Sequence, residues 1–186
     1  MRRFRACCLG VGLTALVLAS IPAGAAPVTL QPYEDPEKLF SISYPQGWQV
    51  KRLTGTTYFF LDDPDEGTSF TLTPAGALQG EMNAAQALKV FVTTIRKKYP
   101  DFKVVGQKQR SMQATRDGTI VDVSATWTNL KKVPMKGWGN LGVITQVGKG
   151  KTIFSYLGYQ APAKGFNEME PVFDRMIRSL KFAKAK

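Results

Sequence analysis

The side chains that most often carry catalysis are scarce in this chain. Its 186 residues include no histidine, and its two cysteines, Cys7 and Cys8, lie close to the N-terminus. Histidine is the side chain whose ordinary pKa lies near neutrality, and thiolates and imidazoles are the usual ligands of zinc. Ser-His-Asp and Cys-His catalysis are therefore excluded, and a zinc site is not expected. A carboxylate pair, a Ser-Lys pair or a calcium site remains possible.

The carboxylates show no spacing that favours an enzyme. Asp117, Asp122, Glu170 and Asp174 fall in separate predicted elements, and nothing in the sequence brings them together. We therefore expect no catalytic residues and no resident cofactor. An enzyme is the least favoured of three classes of function, behind an accessory protein and a ligand-binding module.

Four carboxylates fall within one short segment, at Asp62, Asp63, Asp65 and Glu66. Calcium takes six to eight oxygen ligands from a loop that can wrap around it. Pro64 interrupts this run, which also lacks the twelve-residue spacing of an EF-hand. We interpret the segment as a solvated hairpin turn, and calcium at residues 62–66 remains the weaker alternative.

Residues 129–139 combine cations with large apolar side chains in the order NLKKVPMKGWG, which we interpret as a loop between two strands. Loops on rigid scaffolds often carry function, and such a mixture suits an acidic protein or an anionic membrane surface. The candidate partner-binding residues are Lys131, Lys132, Met135, Lys136 and Trp138. The alternative is that Met135 or Trp138 folds back onto the sheet while the lysines are only solvated.

Residues 1–25 have the pattern of a cleaved secretory signal peptide. Three early arginines precede an apolar run, and Ala23 and Ala25 form an A-x-A cleavage site. The run covers about 16 residues whereas a spanning helix needs roughly 20, which favours cleavage over a membrane anchor. Because Cys7 and Cys8 precede the run, neither is placed for lipid attachment. We expect export to a periplasm, a thylakoid lumen or the extracellular space.

The exported chain is basic and has no cysteine. Removal of residues 1–25 takes away three arginines and no acidic residue, which leaves 22 basic residues, 14 acidic residues and a net charge of +8. Burial of apolar surface must therefore stabilise the fold without disulfides. The charge favours an acidic membrane-associated protein complex or an anionic membrane surface as partner. Nucleic acid fits poorly with export, and we expect a monomer.

Hydrophobic patterning predicts a single domain over residues 39–186, behind a flexible lead-in at residues 26–38. Strands are predicted at residues 39–44, 48–51, 58–61, 69–73, 102–112, 119–128, 141–147 and 152–159. Amphipathic helices are predicted at residues 84–99, with Asn83 as N-cap, and at residues 163–180. This order favours an α+β fold, in which helices flank a central, mostly antiparallel sheet as an α-β-α sandwich.

The segment FSISYPQGW at residues 40–48 resembles the F-x-I-x-Y-P-x-G-W opening of the PsbP-like family, and residues 173–182 are similar to that family's last helix. The similarity covers the whole exported chain in element order. Within the motif, we expect Tyr44 and Trp48 to pack as core anchors. Several family members bind metals through histidines that this chain lacks, so the resemblance implies no metal site.

The resemblance also carries a functional expectation. It implies an α-β-α sandwich and a non-enzymatic accessory or assembly protein that docks on a membrane protein complex. In a photosynthetic host this would be a role like that of the extrinsic subunits of photosystem II. The alternative is a periplasmic or extracellular binding module, which holds a small apolar or anionic ligand in a cleft between sheet and helix.

Overall fold

The computed structural model describes residues 28–112, 118–146 and 150–183. The predicted signal peptide lies outside these residues. The strands are β1 (Leu30–Glu34), β2 (Phe40–Pro45), β3 (Gln49–Leu53), β4 (Thr56–Phe60), β5 (Ser69–Gln79), β6 (Lys103–Ser111), β7 (Gly118–Thr128), β8 (Pro134–Gln146), β9 (Lys151–Pro162) and β10 (Lys181–Phe182). The helices are α1 (Ala84–Lys98), between β5 and β6, and α2 (Phe166–Ser179), between β9 and β10.

The strands form two antiparallel sheets. The large sheet has the order β3-β4-β5-β9-β8-β7-β6, and the small sheet has the order β1-β2-β10. Neighbouring strands in both sheets pair antiparallel. The prediction of an α+β fold with a mostly antiparallel sheet is confirmed.

The two helices pack on opposite faces of the large sheet. Successive side chains of a strand point to opposite faces. In β9, Leu157 and Tyr159 pack into the same core as α2, whereas Phe154 packs with residues of α1. The predicted α-β-α sandwich is matched only in part. Helix α2 packs against β9 of the large sheet and also against β2, which belongs to the small sheet.

The α2 face holds a dense aromatic core. Phe59, Phe70 and Phe173 are fully buried there, and the rings of Tyr159 and Phe173 stack with centroids 4.2 Å apart. The opening motif contributes Phe40, Ile42 and Trp48 to the same core, and Tyr44 packs against it. The expectation that Tyr44 and Trp48 are structural anchors is therefore confirmed.

Helix α1 begins and ends where local signals place its ends. Asn83 Oδ1 accepts the Gln86 N–H, and the Gln86 side chain accepts the Asn83 N–H, each at 2.9 Å, which completes a capping box. Three cations in the last turn complement the helix dipole, and Pro100 follows the C-cap Tyr99. Within the described residues, neither helix has the length and apolarity needed to cross a membrane.

Strand β5 extends to Gln79, beyond the predicted residues 69–73. Two other boundaries also need correction. The predicted lead-in at residues 26–38 contains β1, and the strand predicted at residues 141–147 begins at Pro134 instead. Pro32 obscures the first strand pattern, but it lies on an edge strand, where the missing N–H is tolerated. Pro134, Gly137 and Gly139 obscure the second, because proline and glycine are depleted in strands.

Candidate functional site

An apolar cleft of about 340 Å³ lies between α1 and the large sheet. Small-molecule sites are typically clefts of about 300–1,000 Å³ with mostly apolar linings and a few polar groups. Leu88, Phe91 and Ile95 form the helix side of this cleft, and Val123 and Trp127 of β7 line the sheet side. The cleft has the size and character of a site for a small ligand.

Glycines shape the floor of the cleft. Gly137 and Gly139 lie on β8, and Gly158 of β9 pairs directly with Gly139. A Cβ atom at Gly137 would lie 2.9 Å from the ring of Trp127, and one at Gly158 would lie 2.1 Å from the hydroxyl of Tyr156. The missing side chains therefore allow both aromatic rings to lie against the sheet backbone.

Aromatic contacts connect this floor to α1. The ring of Phe91 is nearly parallel to that of Tyr156, with centroids 6.2 Å apart and an interplanar angle of 18°. The same ring meets Phe154 edge to face at 5.0 Å. Phe91 thus holds α1 over one side of the floor.

Several polar groups of the cleft have no internal partner. Trp127 is 8 % exposed, and its indole N–H has no hydrogen-bond partner in the described part of the chain. Burial raises the pKa of the Tyr156 hydroxyl to about 12, which keeps it protonated near neutral pH. Burial, followed by the charge of Asp65, also raises the pKa of Tyr58. Because buried polar groups are usually paired, the Trp127 N–H is available to a ligand, and the half-buried Tyr58 and Tyr156 contribute two further hydroxyl donors.

The acidic turn, residues 61–68, contributes Pro64 and Asp65 to the lining of the cleft, and we call this part its mouth. Asp63 Oδ1 accepts the N–H groups of Asp65 and Glu66 at 2.9 Å, and the first of these bonds is the main cause that lowers the pKa of Asp63. The Lys98 ammonium lies 2.9 Å from Asp65 Oδ2 and 3.5 Å from Glu66 Oε1. The end of α1 is thus held to the turn by charge.

Glu66 joins the end of α1 to the β7–β8 loop, residues 129–133. The Tyr99 hydroxyl donates to Glu66 Oε1 at 2.9 Å, and the Leu130 N–H donates to Oε2 at 2.7 Å. The Asn129 side chain donates to the Glu66 carbonyl oxygen at 2.7 Å. The carboxylates at the mouth therefore accept bonds from the protein itself, and the described residues contain no cluster of three or more His, Cys, Asp or Glu that could hold a metal.

The structure separates the five predicted partner-binding residues. Lys131 and Lys132 are exposed on the β7–β8 loop, and the Lys131 ammonium lies 3.8 Å from Asp63. Lys136 and Trp138 lie instead on β8, where Trp138 is half-buried and stacks on Tyr159 at 5.5 Å. The loop is therefore shorter than the predicted 129–139 segment.

Met135 does not belong to any binding surface. It is 1 % exposed and packs with Trp127 and Phe102 between α1 and the sheet. Its prediction as a partner-binding residue is wrong, and the alternative that it folds back onto the sheet is confirmed. The exposed apolar residues of this region are Leu130 and Val133, at 61 % and 37 %.

Sequence reasoning missed the residues that form the cleft. Tyr58, Trp127 and Tyr156 stand in strand patterns that predict only core packing. The available signal was the set of glycines in β8 and β9, because a glycine inside a strand often marks a place where another group approaches the backbone closely.

No model of a known protein family matches this chain, and no curated protein matches its sequence. Solved structures do resemble it. The solution structure of cyanobacterial PsbP (CyanoP) from Synechocystis sp. PCC 6803 aligns with a TM-score of 0.54 at 16 % identity, over 96 % of this chain and 98 % of that one. The chain has a PsbP-like fold.

A second structure supports the same assignment of fold. LpqN of Mycobacterium tuberculosis, described as involved in cell envelope biogenesis, aligns with a TM-score of 0.51 at 12 % identity, over 85 % of this chain and 92 % of that one. At these identities the likeness concerns the fold alone. In this chain the aromatic residues of the motif at residues 40–48 pack in or against the core on the α2 face.

Proposed function

We propose that this protein is an exported, non-catalytic accessory protein of the cell envelope that binds a small, mainly apolar ligand between α1 and the large sheet. The observation that carries the proposal is the cleft of about 340 Å³, whose floor is made of glycine backbone and aromatic rings. Protein interiors are otherwise packed as densely as organic crystals. An apolar space of this size with unpartnered hydrogen-bond donors is typical of a binding site for a small molecule.

The polar groups at the cleft support binding over catalysis. A general base or nucleophile needs a pKa near the working pH. The pKa of Lys98 is raised despite its desolvation because Asp65 and Tyr99 hydrogen-bond to it, so this amine stays charged. Tyr156 and Tyr58 stay protonated for the reason given above. None of these groups is activated at neutral pH.

Export is supported from two sides. The predicted signal peptide directs the chain out of the cytoplasm. One protein of the same fold, LpqN, is described as involved in cell envelope biogenesis. An envelope location agrees with an apolar ligand, since membranes are the main store of such molecules.

A fluorescence titration of the exported chain with Nile red, an uncharged apolar dye, tests the proposal. Val92 lines the cleft, whereas Val90 is exposed on the same helix. We expect saturable binding that V92W weakens at least about tenfold, a loss of about 1.4 kcal/mol. V90W, a matched control, should bind like the original chain. Absence of dye binding, or equal effects of the two variants, would contradict the proposal.

A second candidate function is docking on a membrane-associated complex through the β7–β8 loop. Leu130 and Val133 are exposed there and flank Lys131 and Lys132, so an apolar and a cationic contact come from the same short loop. Exposed apolar groups beside cations suit an acidic partner surface. In a photosynthetic host, the photosystem II role that the PsbP-like resemblance implies is the specific form of this candidate.

Pull-down from detergent-solubilised host membranes, washed at low and then high salt, tests the docking candidate. We expect a membrane complex that is released by salt and is lost from the double variant K131E/K132E. The matched control K89E/K97E changes the charge equally on the exposed side of α1. Equal losses in both double variants would show a general charge effect and reject the loop as the docking surface.

A further inference from the structure

We infer that the ligand of the cleft is an uncharged amphiphile, whose apolar body lies along the aromatic rings that cover the glycine floor and whose terminal oxygen accepts hydrogen bonds from Tyr58 and Tyr156. A carboxylate or other anion is excluded by the same site. This inference rests on the proposed function and specifies its ligand class.

The strand register gives the cleft a polar end and an apolar end. One row of paired residues crosses the α1 face in the order Tyr58, Thr71, Gly158, Gly139 and Val123. With neighbouring strands about 4.8 Å apart, the four steps span about 19 Å. Hydroxyls occupy one end of this row, glycines its centre and an apolar side chain the other end. An elongated molecule with one polar end matches that order.

The Tyr156 hydroxyl lies above the centre of the row. A Cβ atom at Gly158 would be 2.1 Å from this oxygen, and one at Gly139 would be 3.1 Å from it. No residue in the described ranges accepts a hydrogen bond from it or from the Tyr58 hydroxyl. The raised pKa values keep both phenols protonated. Both can therefore donate to a carbonyl or hydroxyl oxygen.

The charges at the mouth favour an uncharged ligand. Lys98 is the cation that lines the cleft, and Asp65 and Glu66 already lie within ion-pair distance of it. An incoming carboxylate would have to compete with both of these carboxylates for Lys98. Like charges at such distances repel, and removing an anion from water costs free energy. A neutral oxygen acceptor meets neither obstacle.

Displacement of Nile red by decane, 1-decanol and decanoate at neutral pH tests the ligand class, because these probes share one chain length. We expect 1-decanol to displace the dye at a concentration about three- to tenfold lower than decane, as one or two hydrogen bonds predict. Decanoate should be the weakest of the three. Y156F and Y58F should each reduce the advantage of 1-decanol over decane, because each variant removes one of the two donors.

Neutralising one carboxylate at the mouth of the cleft tests why anions bind weakly. D65N removes one of the carboxylates beside Lys98, so displacement by decanoate should improve relative to displacement by 1-decanol. If decanoate equals 1-decanol in the original chain, or if Y156F and Y58F leave the advantage of 1-decanol unchanged while the dye still binds, the ligand class is wrong and the cleft remains a binding site. If neither the dye nor any probe binds, the proposed function fails as well.

Discussion

The two faces of the large sheet differ in how completely they are filled. On the α2 face, large side chains such as Phe59, Phe70 and Phe173 close the core. On the α1 face, glycines of β8 and β9 leave a cleft that aromatic rings line without filling it. Both arrangements come from the same strands, because side chains alternate between the faces. One face can therefore supply stability while the other is adapted to binding.

The two helices show the same difference. The buried residues of α2 are Phe166, Val172, Phe173 and Met176, whereas those of α1 are Ala84 and Ala87. Burial of apolar area is worth about 25 cal/mol per Å², so alanines contribute much less than phenylalanine or methionine. Helix α1 therefore depends more on its capping box and on the contacts of Lys98 and Tyr99 at its end.

The largest expected loss of stability comes from a substitution in the core on the α2 face. F173A should lower the free energy of unfolding by about 3–5 kcal/mol, because it leaves a cavity at a fully buried position. F91A, the same change in the half-buried wall of the cleft, should cost clearly less. Urea denaturation of both variants measures the difference. Equal losses would show that the two faces do not differ in their contribution to stability.

Filling the floor of the cleft should have an intermediate effect. G158A places a Cβ atom against the Tyr156 hydroxyl, so the ring must move, at a cost of about 1–3 kcal/mol in stability. The displaced ring should also weaken Nile red binding. G106A is the matched control, because its Cβ atom would meet Ser124 at an ordinary distance of 3.6 Å. Normal dye binding by G158A would contradict the assigned floor.

Loss of the α1 cap should have a smaller effect. N83A removes the side-chain acceptor of the capping box and should cost about 1 kcal/mol, whereas N83S retains an acceptor and most of the stability. Hydrogen exchange of the backbone amides should accelerate in α1. It should not change in α2, because N83A removes no bond of that helix, whose own N-cap Gly165 makes no side-chain cap bond. Equal acceleration in both helices would show that α1 does not open independently.

The smallest effect concerns alkaline pH. Burial raises the pKa of Tyr156 to about 12, and burial with the charges of Glu170 and Asp174 does the same for Tyr159 on the opposite face. Because the folded-state pKa of each tyrosine lies above the ordinary 10.0, the protonated hydroxyl contributes to the stability of the folded protein. This contribution is complete below pH 10 and is lost as the pH rises toward 12. Phenolate absorbance should show late ionisation of Tyr156, Tyr159 and Tyr99, whose pKa is also raised to about 12, and Y156F should remove one of these three late steps. Ionisation of Tyr156 near 10 would contradict its burial.

Local signals explain which parts of the fold could be predicted. The N-cap Asn83, the apolar spacing of the helix and Pro100 all act within a few residues, and the predicted helix at residues 84–99 agrees with α1. Strand β1 was missed because its alternation is weak and its partner lies in another segment. The start of β8 was missed because pairing on both sides overrides the poor strand propensity of its glycines.

A cleft between sheet and helix was among the predicted alternatives, but its lining residues could not be predicted, for a different reason. Tyr58, Trp127 and Tyr156 stand on strands that are distant in sequence, and strand order decides whether they meet. Amino-acid types alone do not fix that order. For the predicted loop, composition correctly identified exposed lysines, but it could not decide on which side of β8 Met135 and Trp138 would lie.

Glu66 gives the molecule a route by which two distant events influence one another. Its carboxylate holds the Tyr99 hydroxyl at the mouth of the cleft and the Leu130 N–H on the exposed loop. A partner that drew Leu130 away would release one oxygen of this carboxylate and change the restraint on the end of α1. Thermodynamic linkage is reciprocal, so a ligand that shifted α1 would alter the affinity of the loop for that partner by the same factor. Ligand binding in the cleft and partner binding at the loop would then influence each other through a single side chain.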